Sequence, residues 1–200
     1  MNKALSRSLG TGLLLCSVFG TTAFAEDAPR SDKNYAGLLI TAIEHRSVGT
    51  PAEDGWGQAG TVVIGGHLNK LIHAEVRLGA GYADADITGG DLALAVDYFG
   101  SWYMGIHYPL GHLGNVYLQA GFSHISGEAK LANAEEDNNA RFRMLEGDYP
   151  GSGFSVSWLA GIDLELMPDT YLVLEAGKLF EDTDSGVNAF QFSSGFRYEF

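Results

Sequence analysis

The stretch LALAVDYFGSWYMGIHY, residues 92–108, changes character at every step. Its even positions are Leu92, Leu94, Val96, Tyr98, Gly100, Trp102, Met104, Ile106 and Tyr108. Its odd positions, Ala93, Ala95, Asp97, Phe99, Ser101, Tyr103, Gly105 and His107, are small, polar or mixed. Successive side chains of a strand point to opposite faces, whereas a helical face recurs every 3.6 residues. The segment is therefore one long two-faced strand.

The same split recurs on either side. Ile72, Ala74, Val76, Leu78, Ala80 and Tyr82 oppose His73, Glu75, Arg77, Gly79 and Gly81. Phe154, Val156, Trp158, Ala160, Ile162, Leu164 and Leu166 oppose Ser155, Ser157, Gly161, Asp163 and Glu165. Phe190, Phe192, Ser194, Phe196, Tyr198 and Phe200 oppose Gln191, Ser193, Gly195, Arg197 and Glu199. Fainter alternation covers residues 61–68, 116–125 and 171–180, and residues 35–43, apolar on both faces, complete a set of eight strands by position. Connections alternate between short turns (68–71, 109–115, 167–170) and longer, charged loops (45–59, 84–91, 126–153, 181–188). Short turns on one rim and long loops on the other predict an all-β fold, an eight-stranded antiparallel up-and-down transmembrane β-barrel. A soluble barrel has the inverse polarity, with an apolar interior. Against it stand the glycines and serines of the polar face, which suit a narrow lumen, and Tyr82, Trp102, Tyr108, Phe154 and Tyr198 near strand ends, where interfacial girdles lie. Even faces are expected to meet lipid and odd faces to fill the lumen. A tilted strand crosses a bilayer in about 9–11 residues, so the outer part of 92–108 is expected to stand above the membrane as a paired ribbon. It would turn back through Thr88, Gly89, Gly90 and Asp91 and present Leu92, Leu94 and Val96 as an exposed apolar stripe.

Residues 1–25 read as an export signal: Lys3 and Arg7, an apolar run over 9–20, then Ala23-Phe24-Ala25 as a small-x-small cleavage pattern. Residues 26–33 form a short lead-in and 34–200 the barrel. The single cysteine, Cys16, falls in the signal, so no disulfide holds the fold. Removing the signal leaves ten basic against 25 acidic residues, a balance that excludes nucleic acid as partner. No later segment approaches the roughly 20 apolar residues of a spanning helix.

The end of the chain, Gly195-Phe196-Arg197-Tyr198-Glu199-Phe200, resembles the terminal signature read by the outer-membrane assembly machinery. The segments His67-Leu68-Asn69-Lys70, Ala74-Glu75-Val76-Arg77-Leu78-Gly79 and Tyr108-Pro109-Leu110-Gly111 resemble the eight-stranded outer-membrane barrels related to OmpA, OmpX and the opacity proteins. The resemblance implies the bacterial outer membrane, reached through the periplasm. It implies Phe196, Tyr198 and Phe200 as the assembly signal, and lipid and lipopolysaccharide as surroundings. Roles within the family differ, so fold does not fix function.

Glu75, Arg77, Asp163, Glu165, Glu175, Arg197 and Glu199 fall on the odd, lumen-facing side. In a lumen filled by side chains they need partners, so a rigidifying charge network is expected. The alternative is a narrow cation-leaning channel, since five carboxylates oppose two guanidinium groups. His124 and Ser126 share a face in the order of a lipid A deacylase His-x-Ser, but Gly127 stands where that pattern has Asn. The residues 182–186 and the acids Asp84, Asp86 and Asp91 lack a full calcium ligand set. The reading is a non-enzymatic barrel with no cofactor and no metal, acting through its outer loops. Arg141 and Arg143 are the loop binding candidates, and an extracellular protein is a partner class open to them.

Overall fold

In the computed structural model, described over residues 32–49, 52–87, 92–131, 145 and 147–200, ten strands run in chain order. They are β1 (Asn34–Val48), β2 (Glu53–His67), β3 (Ile72–Ala83), β4 (Ala85–Ile87), β5 (Leu92–Pro109), β6 (Gly114–Leu131), β7 (Gly147–Tyr149), β8 (Ser155–Met167), β9 (Thr170–Glu181) and β10 (Asn188–Glu199). Leaving out the short β4 and β7, the other eight pair antiparallel around a closed ring. The ring closes where β1 meets β10, from Tyr35 opposite Glu199 to Arg46 opposite Asn188. The expected signal segment, the expected turn 88–91 and both arginines 141 and 143 lie outside the described residues.

Each short turn has a local cause. The Asn69 side chain accepts the backbone N–H groups of Leu71 and Ile72, both at 2.8 Å, and so reverses β2 into β3. Between β8 and β9 Asp169 adopts φ 60°, a left-handed geometry that aspartate tolerates better than most residues. A single 3-10 turn, Gly111–Leu113, joins β5 to β6.

Parity holds through the body of the barrel. Leu38, Ile40, Val76, Leu78, Met104, Ile106, Leu118, Val156 and Phe196 are exposed on the outside. Odd residues turn inward and are buried. At Gly79 the inward face admits no side chain, because an added Cβ would sit 2.2 Å from the Phe99 ring.

Above the membrane body the pattern changes in ways that alternation did not disclose. The expected loop 45–59 is mostly strand, since β1 and β2 run on to Val48 and from Glu53. Half of the expected 84–91 loop is β4 or its approach, and β6 continues to Leu131. The outer end of β5 does form a paired ribbon, with β6 on one side (Leu92 opposite Leu131) and β4 on the other (Ile87 opposite Leu92). Its apolar stripe, however, is not exposed: Leu92, Leu94 and Val96 are buried. The register shifts between Val96 and Tyr98, leaving Asp97 and Tyr98 both exposed. One extra residue in a strand inverts which parity faces inward beyond it. Even residues of β5 thus face lipid below the bulge and the interior above it. Similar shifts occur in β1 between His45 and Val48, beside Gly81 and Ala83 of β3, and in β9 beside Lys178 and Phe180.

The inverted residues build an outer apolar cap. Val48, Ile87, Leu92, Leu94, Leu145, Tyr149 and Val187 form one buried cluster. Beneath it lies a second apolar layer containing Ile43, Val96, Phe99, Ile125, Leu179 and Phe180.

Two substitutions separate the faces. Val76→Arg, on the lipid side, is expected to cost about 2–4 kcal/mol in urea unfolding from bilayers. Gly79→Ala, on the inner side, is expected to destabilise as well, because Phe99 must move; an unchanged unfolding midpoint in both would reverse the inside and outside.

Candidate functional site

Going inward along β3, β5, β6, β9 and β10, the odd positions converge on two buried guanidinium groups. Arg77 donates to Glu75 through Nε and to both oxygens of Glu175, at 2.9 Å for Nη2–Oε2. Tyr35 donates to Glu75 at 2.9 Å and Tyr117 to Glu175 at 2.8 Å. Closer to the short-turn rim, Arg197 pairs with Asp163, lies 3.8 Å from Glu199, and stacks over Tyr35 at 4.7 Å. All six charged groups are buried. The planar fork of Arg77 suits this site because it presents several donors in a fixed geometry that engages one carboxylate bidentately and a second through Nε, where a lysine would offer a single rotating ammonium.

Six of the seven expected lumen charges therefore meet in one interior. Glu165 does not. It is exposed at the end of β8, where the register shifts between Glu165 and Met167 at the turn, so parity no longer carries it inward.

Above the arginines, hydroxyl groups fill the section. Thr41 bonds Thr61 and Ser193 at 2.8 and 3.0 Å, and Ser123 bonds Ser101 and Ser157 at 2.7 and 2.8 Å. The free space beside Arg77 and Arg197 is about 10 Å³, room for about one water. Among the described residues, polar pairs are followed toward the outer rim by two apolar layers.

A histidine cluster at the short-turn end escaped the sequence reading. His67, His73 and His107 are buried with ring centroids 4.8 to 6.1 Å apart. Their signal was available: all three are odd, and His67 and His73 flank the turn 68–71 and so pair across it.

On the outer rim, His124 donates through Nδ1–H to the Gly153 carbonyl at 2.5 Å, with its ring against Tyr98 and Phe154. That bond occupies the nitrogen a triad would direct at an orienting acid. His124 is held as a member of the interfacial belt.

The cap is fastened by two polar contacts. Asp182 accepts Ser152 Oγ at 2.9 Å, the Ser152 N–H at 3.0 Å and the Ser185 hydroxyl, tying the end of the loop after β7 to the turn after β9. Burial works to raise the Asp182 pKa, but these donors hold its carboxyl below the usual carboxylate range. His45 lies above the lipid-facing zone, which β1 leaves at the Glu44–Arg46 ion pair. Its Nδ1 is 3.0 Å from the Tyr149 hydroxyl, while Nε2 is buried with no partner. Burial pushes the His45 pKa down to about 4 and the Tyr149 phenol up.

A closed eight-stranded antiparallel barrel with an apolar outside, a filled polar inside and short turns on one rim defines an outer-membrane protein of Gram-negative bacteria. The model of the outer membrane protein beta-barrel domain matches residues 11–200, and the chain belongs to that family. Among solved structures it is similar to Ail of Yersinia pestis, with 10% identity over 85% of this chain and 99% of that one, at a TM-score of 0.59. It is also similar to Neisserial surface protein A, at 15% identity over 84% and 97% and a TM-score of 0.54. OprG of Pseudomonas aeruginosa follows, at 9% identity over 86% and 97% and a TM-score of 0.52. A search of curated proteins finds no match.

The cap should loosen in acid. His45 is held neutral in the closed cap, with a pKa of about 4 against 6.5 for the free ring. Its contribution is complete above pH about 6.5, falls as the pH drops, and levels off below about 4, a total of about 3 kcal/mol. Amide protection factors at Tyr149 and Gly127 in nanodiscs should fall between those values, and His45→Phe should remove the dependence.

Proposed function

We propose that this protein is a closed, non-conducting and non-catalytic barrel that serves as a rigid outer-membrane support for its outer cap, which is the surface that binds. The observation that supports the reading is the succession of buried ion pairs, hydroxyl ladders and two apolar layers among the described inward residues. Eight strands enclose little more than their own side chains, so a channel would require the arginine network to be dismantled.

The chemistry of the outer surface favours a cationic partner. Asp54, Asp84, Asp86, Asp97, Glu128, Glu181 and Asp184 are exposed there, and Lys130 is already paired with Glu128 at 3.0 Å. Ail has been solved with sucrose octasulfate, a heparin analogue. The described outer face of this chain has the opposite polarity for such a polyanion, and Arg141 and Arg143 are the residues through which an anionic ligand would still bind. Phe196, Tyr198 and Phe200, exposed on the outside of β10 and its end, suit reading by the assembly machinery before the seam with β1 closes.

Conductance distinguishes support from channel. The folded protein in planar bilayers should give no resolvable current steps. Steady ohmic steps from the unaltered protein would remove the closed-barrel reading.

A further inference from the structure

On the short-turn rim an unpaired cation stands beside an apolar furrow. Every other described lysine and arginine lies in an ion pair with a carboxylate. Lys70, exposed in the turn between β2 and β3, lies in none. The turn that carries it is pinned to the wall. Asn69 accepts the Leu71 and Ile72 N–H groups at 2.8 Å, and the Leu71 carbonyl accepts the His107 N–H at 2.8 Å. Leu71 is thereby set against β5.

There the lipid-facing wall is indented. In the register of β5 with β6, Ile106 stands opposite Leu118, His107 opposite Tyr117 and Tyr108 opposite Val116. The middle pair is buried, while Ile106, Leu118, Tyr108 and Val116 are exposed on either side of it. Such a gap repeats along any strand pair, but here the exposed Leu71 closes a third side. The furrow so bounded has a volume of about 330 Å³. That is near the lower end of small-ligand pockets, about 300–1,000 Å³, and suits one acyl chain better than a whole lipid.

We propose that this corner of the barrel is a binding site for one phospholipid of the periplasmic leaflet with an anionic headgroup. One acyl chain lies in the furrow, and the Lys70 ammonium meets the phosphate. A lysine serves a phosphate as a point charge. Its methylenes can cover the apolar edge at Leu71 while the charged head stays in water. Tyr108, near the rim end of β5, adds an aromatic ring of the kind that lodges at headgroup level. The leaflet follows from the topology, because short turns are periplasmic and lipopolysaccharide occupies the opposite side. One lysine near a membrane surface favours an anionic over a zwitterionic headgroup about fivefold.

The test uses the protein extracted from outer membranes in mild detergent and loaded with phosphatidylglycerol or phosphatidylethanolamine of identical chains. Native mass spectrometry should show one lipid per barrel surviving delipidation, with phosphatidylglycerol retained about fivefold more strongly. Lys70→Gln should abolish that preference. Lys33→Gln, on the same rim but at a lysine already paired with Asp169, should keep it. Val116→Trp fills the furrow from the lipid-facing side, spares the barrel interior, and should lose the retained lipid of either kind. Equal retention of the two lipids, a preference that survives Lys70→Gln or disappears in Lys33→Gln, or unchanged retention in Val116→Trp would overturn the proposal. So would displacement of the lipid by lipopolysaccharide.

Discussion

In hydrocarbon no water can satisfy a free backbone N–H or C=O, so a sheet that spans a bilayer must close on itself. The pairing of β1 with β10 over twelve residue positions, Tyr35 to Arg46, meets that constraint. Everything else in the molecule follows from closing with only eight strands. The outside must be apolar over the membrane and the inside is narrow, so the inward polar side chains are satisfied mainly by one another. Arg77 and Arg197 can do so because each reaches more than one acceptor while resting against tyrosine rings. The cost of burying these ions limits the arrangement: removing one partner strands the others in a medium where an unpaired charge is penalised by about 3–5 kcal/mol.

The second constraint acts at the outer rim. Strands that continue beyond the membrane carry their lipid-facing parity into water, where an apolar stripe is a liability. The bulge at Asp97, with its counterparts in β1, β3 and β9, resolves this by turning the same parity inward. Leu92 and Leu94 then cap the lumen instead of lining a sticky ribbon. The same displaced residue brings these side chains into the buried outer cluster, which the contacts of His45 with Tyr149 and of Asp182 with Ser152 adjoin.

The barrel was legible in the sequence because lipid imposes period two on long segments such as 72–82 and 92–108. Strand count, order and the lumen positions of Glu75, Arg77, Asp163, Glu175, Arg197 and Glu199 all follow from parity. The bulges were not legible. An additional residue between Val96 and Tyr98 leaves the written alternation intact, since inversion of the face occurs together with a change of surroundings from lipid to protein core. Glu165 was misplaced for a related reason, because parity holds only where the strand is still part of the wall. The histidines were passed over one at a time, as single odd residues; only the register sets His67 opposite His73 and brings His107 beside them.

The inversion of β5 at Asp97 is open to a direct measurement. With the sole cysteine at position 16, before the first strand, single cysteines at residues 92, 94, 98, 102, 104 and 106 can be labelled with nitroxide in bilayers and their accessibility to oxygen and to a water-soluble nickel complex compared. Residues 98, 102, 104 and 106 should be reached by oxygen from the lipid, whereas 92 and 94 should be shielded from both reagents. Oxygen access at 92 and 94 equal to that at 102 and 104, or free access of the nickel complex there, would contradict a capped barrel.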